Sequence, residues 1–122
     1  MAIYEMKSSK EFERPLVPDG MYEAVLTQIQ DIEDGKWGKR IRLIYESVIG
    51  DKKVEFARTG YAKFSKKSKL GTDFTSMGVI EGAKFDPKDF IGKKVKIYVK
   101  QIEIDREGKL VKQSVVQDVL KL

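Results

Sequence analysis

Alternation of apolar and polar residues is the most regular feature of this chain. Ile41, Leu43 and Tyr45 alternate with polar neighbours between residues 40 and 49, and a period of two is typical of a strand with one buried face. Apolar patterning of this kind predicts five strands, which span residues 21–32, 40–49, 54–61, 93–104 and 110–120. Turn-forming residues such as Asp19-Gly20 separate them.

The first predicted strand contains a break in this alternation. Tyr22, Ala24 and Leu26 share one face, whereas Val25 and Ile29 lie on the other. The strand is also longer than the usual five or six residues. A bulge that bends the strand, so that it serves two sides of a barrel, explains both features.

Between the third and fourth predicted strands the period changes from two to that of a helix. Leu70, Phe74 and Met77 recur at positions i, i+4 and i+7, which predicts a helix within residues 62–79, with Ser65 or Ser68 as its N-cap. Phe74 then belongs to the core, and so do Phe85 and Phe90. Residues 86–92 begin with Asp-Pro and end with Gly, which predicts a single helical turn.

The predicted order of elements is three strands, one helix and two further strands. Five twisted strands in this order can close as a five-stranded Greek-key barrel of the OB-fold type, with the helix between strands 3 and 4 plugging one end. We therefore expect an OB-fold domain over residues 19–122. Residues 1–18 are predicted to form an N-terminal arm, in which Pro15 and Pro18 prevent continuous regular structure.

Two stretches carry a resemblance to a known family. Residues 16–25 read LVPDGMYEAV, and residues 90–99 read FIGKKVKIYV. In pattern and separation they resemble small OB-fold proteins of phages, plasmids and archaea, many of which bind single-stranded DNA. The resemblance implies an OB-fold and a role in replication, recombination or repair.

Charge is distributed unevenly along the chain. Residues 1–34 carry 3 basic and 8 acidic groups, whereas residues 35–71 carry 11 basic and 3 acidic groups. The net charge is +5, and it is concentrated in the middle third. A concentrated positive charge favours a polyanionic partner, because binding to phosphates releases counterions.

The composition argues against catalysis. The chain has no His and no Cys, so it lacks the ordinary imidazole base, the thiol nucleophile and nitrogen or sulfur ligands for a metal. Asp31, Glu33 and Asp34 cluster in sequence, but a loop before a lysine-rich stretch explains them equally well. We expect no enzyme activity, no metal and no cofactor.

The sequence also bears on location. The first 14 residues have no apolar core of a signal peptide, and the chain has no apolar stretch of the ~20 residues that a membrane-spanning helix requires. Together with the absence of cysteine, this predicts an intracellular, cytoplasmic protein without membrane contact.

The candidate site combines cations for the phosphates with aromatic rings for the bases. Trp37 lies in the loop after the first strand, and OB-folds bind ligands on strands 2 and 3 and on such loops. The predicted nucleic-acid-binding residues are Trp37, Lys39, Arg40, Arg42, Arg58, Tyr61, Lys63, Phe64, Lys66, Lys67, Lys96, Tyr98 and Lys100.

Several of these residues have structural alternatives. Trp37 could fold back as a lid over the barrel, and Arg58 could pair with Glu46 or Glu55. The lysine run at 63–69 could be a solvated start of the helix or a flap that closes on a strand, and Tyr98 could make a cross-strand contact.

A second function class also fits the sequence. In an interaction or assembly module, the basic segment would meet an acidic partner or the N-terminal arm of a second copy, which would make the protein a homo-oligomer.

Overall fold

A computed structural model of the chain describes residues 16–65 and 67–122. Within them lie five strands and one α-helix: β1 (Gly20–Gly35), β2 (Gly38–Ile49), β3 (Lys52–Tyr61), α1 (Lys69–Ser76), β4 (Lys94–Arg106) and β5 (Lys109–Lys121). A 3₁₀ turn, Pro87–Phe90, precedes β4. The predicted strands, helix and turn are confirmed. The helix lies within residues 62–79 as predicted, and Ser68, one of the two predicted N-caps, accepts a hydrogen bond from Gly71 N.

The five strands form one antiparallel sheet in the order β3-β2-β1-β4-β5. Strand β1 is central: it pairs with β4 through residues 20–25 and with β2 through residues 25–35. The pairs Leu26–Tyr45 and Gln28–Ile44 leave no residue of β2 opposite Thr27, whose hydroxyl donates to Ile44 O over 3.2 Å. This is the predicted bulge, and beyond it β1 leaves β4 and continues along β2 alone.

Helix α1 covers the inner face of the sheet. On that face β2 contributes Leu43 and Tyr45, both fully buried, and α1 contributes Leu70 and Phe74. The apolar residues that alternate along the strands and those on one face of the helix therefore pack into one core. The opposite face of the sheet, which carries Arg40 and Arg42, is called the outer face below.

The sheet is open between β3 and β5, so the closed barrel predicted above is not formed. Side chains rather than strand pairing bridge this gap. Arg58 Nη1 of β3 donates to Val116 O over 2.8 Å, and Ser76 Oγ of α1 donates to Val119 O over 2.7 Å. These two bonds satisfy carbonyl groups that a neighbouring strand would otherwise bind.

Among residues 16–65 and 67–122, no helix has the length and apolar character needed to span a membrane.

Candidate nucleic-acid interface

Trp37 stands at the tip of the β1–β2 hairpin. Gly35 pairs with Gly38, so Lys36 and Trp37 alone form the turn. The indole is 63% exposed, and Lys36 Nζ lies 5.1 Å from its ring centroid. Trp37 therefore does not fold back as a lid, and one face of its ring already attracts a cation.

Arg40 and Arg42 lie on the outer face of β2, two residues apart. Arg40 is paired across the strands with Tyr61, and Arg42 is paired with Thr59. Arg42 Nη1 donates to Gln30 Oε1 over 3.4 Å. Successive outward side chains of a strand are about 7 Å apart, so the two guanidinium groups can follow two phosphates of an extended strand.

Gly35 explains how Arg40 and Tyr61 come together. A Cβ atom at Gly35 would lie 2.6 Å from Arg40 Cδ and 2.6 Å from Tyr61 Oη. Both side chains thus pack over the glycine, where any other residue would collide with them. The guanidinium and the phenol are held next to each other at the base of the hairpin.

Lys63 reaches the same hairpin from the segment that follows β3. Ala62 N donates to Lys39 O over 2.8 Å, and Lys63 Cε lies 3.8 Å from the position of a Cβ at Gly38. Lys39 itself points to the opposite side of β2 from Arg40. Its Nζ is 3.3 Å from Asp31 Oδ1, with both side chains largely exposed.

The prediction that Arg58 lies on the binding surface is wrong. Arg58 is 5% exposed because it pairs across the strands with Leu43 on the inner face. Its Nε lies 2.8 Å from Asp73 Oδ2 and its Nη2 lies 2.9 Å from Asp73 Oδ1. The proposed partners Glu46 and Glu55 are also wrong.

The sequence contained a signal for this buried pair. Asp73 lies between Leu70 and Phe74 in the helical pattern, and Arg58 follows Phe56 at the spacing of one strand face. Two opposite charges at core positions of neighbouring elements are expected to pair. Tyr45 adds a third member, since its hydroxyl donates to Asp73 Oδ2 over 3.0 Å.

The buried location changes the acidity of these groups. Burial, followed by the charge of Asp73 and the hydrogen bond to it, raises the pKa of the Tyr45 phenol far above its ordinary value. Burial also raises the pKa of Asp73, although its contacts with Arg58 and Tyr45 oppose the shift. Partial desolvation and the charge of Arg58 lower the pKa of Lys69. All three shifts result from packing between α1 and the sheet.

Phe64 belongs to an aromatic cluster rather than to an open flap. It is half-buried, and its ring centroid lies 5.0 Å from that of Phe74 and 5.4 Å from that of Phe85. The prediction that Phe74, Phe85 and Phe90 are core residues is confirmed: Phe74 is buried, and the other two pack against the core. Phe64 extends this cluster toward the surface.

A second group of predicted residues lies elsewhere on the outer face, on β4. Lys96 is paired with Glu23 of β1, and Tyr98 is paired with Met21; Lys100 follows on the same face. Tyr98 points outward, as predicted, and is 37% exposed. Glu23 and Ile32, which is paired with Arg40, are separated by roughly 30 Å of strand. This group is therefore separate from the hairpin.

The remaining predicted cations lie before α1. Lys67 is exposed in the turn that precedes the helix, whereas Lys66 and the N-terminal arm up to residue 15 fall outside the described residues. In the part of the chain that is described, no three His, Cys, Asp or Glu side chains come together in a way that could hold a metal ion.

Five of the predicted residues thus lie side by side: Trp37, Arg40, Arg42, Tyr61 and Lys63. We call these five residues the hairpin surface. Comparison with known proteins finds no family model and no curated protein that matches this chain. The chemistry of the hairpin surface has to be inferred from its geometry.

Proposed function

We propose that this protein binds single-stranded DNA, or RNA, at the hairpin surface, without catalysis and largely without sequence preference. The observation that carries the proposal is the position of Trp37. It is 63% exposed at the tip of a two-residue turn, next to Lys36 and three residues before Arg40 in the chain. A large aromatic ring held in water gains free energy by stacking on a base, and every base offers such a face.

The neighbouring residues supply the cations that would bind the phosphates. Arg40 and Arg42 present guanidinium groups along β2, and Lys63 adds an ammonium group beside the turn. Cations in a row bind the phosphates of any sequence, and Tyr61 provides a second ring beside Arg40. Cations and rings in one row suit a single strand better than a duplex, because only unpaired bases expose their faces.

We further propose that the architecture is an OB-fold opened between β3 and β5. The strand order and the helix between the third and fourth strands support this assignment. OB-folds bind oligonucleotides on strands 2 and 3 and on the loop that joins strands 1 and 2. The hairpin surface occupies these same elements, with Arg40 and Arg42 on β2, Tyr61 on β3 and Trp37 in the turn.

Fluorescence of the single tryptophan tests the binding proposal directly. Titration with poly-dT at low salt is expected to quench Trp37 emission, since stacking places a base against the indole. In a labelled-oligonucleotide assay, Trp37→Ala should weaken binding by about 1–3 kcal/mol. The matched control is Val48→Ala, which removes a similarly exposed apolar side chain, 65% exposed, near the end of β2 that lies away from the β1–β2 turn.

Salt dependence supplies an independent readout. Each phosphate contact contributes a slope of about −0.7 to the logarithm of affinity against the logarithm of salt concentration. Arg42→Ala should make the slope shallower by about this amount, whereas Lys112→Ala, an equal charge change on β5, should leave it unchanged. Absence of binding at low salt, or equal effects of the two substitutions, would overturn the proposal.

A further inference from the structure

A cavity of about 500 Å³ lies between α1 and the segment that follows it. Phe64, Phe74 and Phe85 form an aromatic wall, and Ser65, Thr75 and Glu81 contribute polar groups around it. This size and this mixture of an apolar wall with a few polar groups are typical of sites for small organic ligands. None of these residues other than Phe64 was predicted to bind anything.

The cavity lies on the α1 side of the sheet, and its lining begins one residue after Lys63 of the hairpin surface. Tyr61 packs beside Arg40, Ala62 bonds to Lys39, and Lys63 lies next to Gly38. The next two residues, Phe64 and Ser65, already line the cavity. One or two residues of extended chain span about 3–7 Å, and β3 is an edge strand, so a bound strand that passes over this edge at Lys63 has its next base within reach of the cavity.

The walls of the cavity are held in place before any ligand arrives. Ser65 N donates to Ser68 Oγ over 3.0 Å, and a Cβ at Gly71 would collide with the Ser65 carbonyl oxygen. On the other side, Val79 N donates to Phe74 O over 3.0 Å and Ala83 N donates to Ile80 O over 3.0 Å. Preorganised walls reduce the ordering that binding requires.

We propose that this cavity receives one unpaired base of the bound strand and favours a base with an exocyclic amino group. The proposal rests on the proposed function. The phenylalanine rings contact the faces of the base, and Glu81 is the one acidic residue among the lining residues. A carboxylate accepts a hydrogen bond from cytosine N4, whereas thymine presents at that position an oxygen that the exposed carboxylate of Glu81 repels.

Oligo-dC and oligo-dT of equal length provide the test, because the two bases are both pyrimidines and differ mainly in this group. The wild-type chain is expected to bind oligo-dC about fivefold more tightly. Glu81→Gln should bring the ratio close to one, since a carboxamide also donates to thymine O4. The control is Glu103→Gln, which makes the same charge change on the β4–β5 hairpin and should keep the ratio.

Ala83→Trp is a second variant, which fills the cavity from an exposed position and should also remove the preference. Equal affinity of the wild-type chain for both strands, or a ratio that Glu81→Gln and Ala83→Trp leave intact, overturns the base-binding proposal while the proposed function stands. Binding of neither strand overturns the proposed function as well. Binding of free dCMP but of neither strand assigns the cavity to a nucleotide in solution and also overturns the proposal.

Discussion

Arginines on the two faces of this sheet differ in whether a carboxylate pairs with them. Arg40 and Arg42 lie on the outer face of β2, half-buried beside Tyr61 and Gln30. Arg58 lies on the inner face of β3, 5% exposed, where Asp73 and the Val116 carbonyl take up its donors. On the outer face Tyr61 lies beside Arg40. On the inner face Tyr45 and Arg58 both donate hydrogen bonds to the carboxylate of Asp73.

This difference shows that a basic residue is available to a ligand only where the fold leaves its charge uncompensated. Inside the sheet, Asp73 neutralises Arg58 and Tyr45 supplies a hydrogen bond to the same carboxylate. At the hairpin surface no acidic residue of the described chain pairs with Arg40 or Arg42 within salt-bridge distance. The inner group stabilises the fold, and the outer group is the one that we propose to bind a polyanion.

Removal of Asp73 should give the largest effect. Asp73→Ala leaves Arg58 buried without a counter-charge, which is expected to lower the free energy of unfolding by about 3–5 kcal/mol. Urea denaturation measures this loss in the free energy of unfolding. The control is Asp31→Ala, which breaks the exposed contact with Lys39 and should cost less than about 1 kcal/mol.

The double variant Asp73→Ala with Arg58→Met should recover much of this loss, because no uncompensated charge remains in the core. Similar losses for Asp73→Ala and Asp31→Ala would mean that the two regions do not differ as the structure indicates.

The second largest effect should appear in the pH dependence of stability, to which Tyr45 of the inner face contributes. Because burial raises the pKa of Tyr45, its phenol stays protonated in the folded chain while it ionises in the unfolded chain above about pH 10. Its stabilising contribution is present below that pH and is lost as the pH rises further. Stability should fall by up to about 1.4 kcal/mol per pH unit from this group.

Denaturation at several pH values between about 9 and 11, compared for the wild-type chain and Tyr45→Phe, measures this contribution. The variant should be less stable at neutral pH, since the hydrogen bond to Asp73 is lost, but its stability should decline less steeply. Parallel curves for the wild-type chain and Tyr45→Phe would contradict the prediction.

The smallest effect is expected on affinity, for substitutions on the β4 part of the outer face. Lys96 and Tyr98 lie on β4, away from the hairpin surface, so Lys96→Ala with Tyr98→Ala should change affinity for a short oligonucleotide by less than about threefold. An oligonucleotide of about six nucleotides suits this measurement, because it is near the lower end of OB-fold site sizes. An effect as large as that of Trp37→Ala would extend the interface along β1 to β4.

The strands were predictable because period-two patterning is a local property of the sequence. The bulge of β1 was predictable for the same reason, since a change of parity between Leu26 and Ile29 requires an extra residue. The exposure of Trp37 was less certain from the pattern alone. A tryptophan between two glycines can cover a barrel or project from it, and only the pairing of Gly35 with Gly38 resolves this.

The burial of Arg58 and its pairing with Asp73 could not be predicted in full, because Asp73 belongs to a different element. The alternation after Phe56 left the face of Arg58 open, and the sequence does not show which carboxylate of another segment meets this residue. The same limit applies to Phe64, whose neighbours Phe74 and Phe85 come from α1 and from the segment before the 3₁₀ turn.

The sequence by itself determined the strands, the capped helix, the hairpin with its tryptophan and the concentration of positive charge in residues 35–71. These features depend on residues close together in the chain, where turn chemistry and periodicity act. Only the tertiary structure decided that the sheet stays open between β3 and β5, and which arginine is buried. Those outcomes depend on contacts between α1, β3 and β5, whose long-range packing leaves no local pattern.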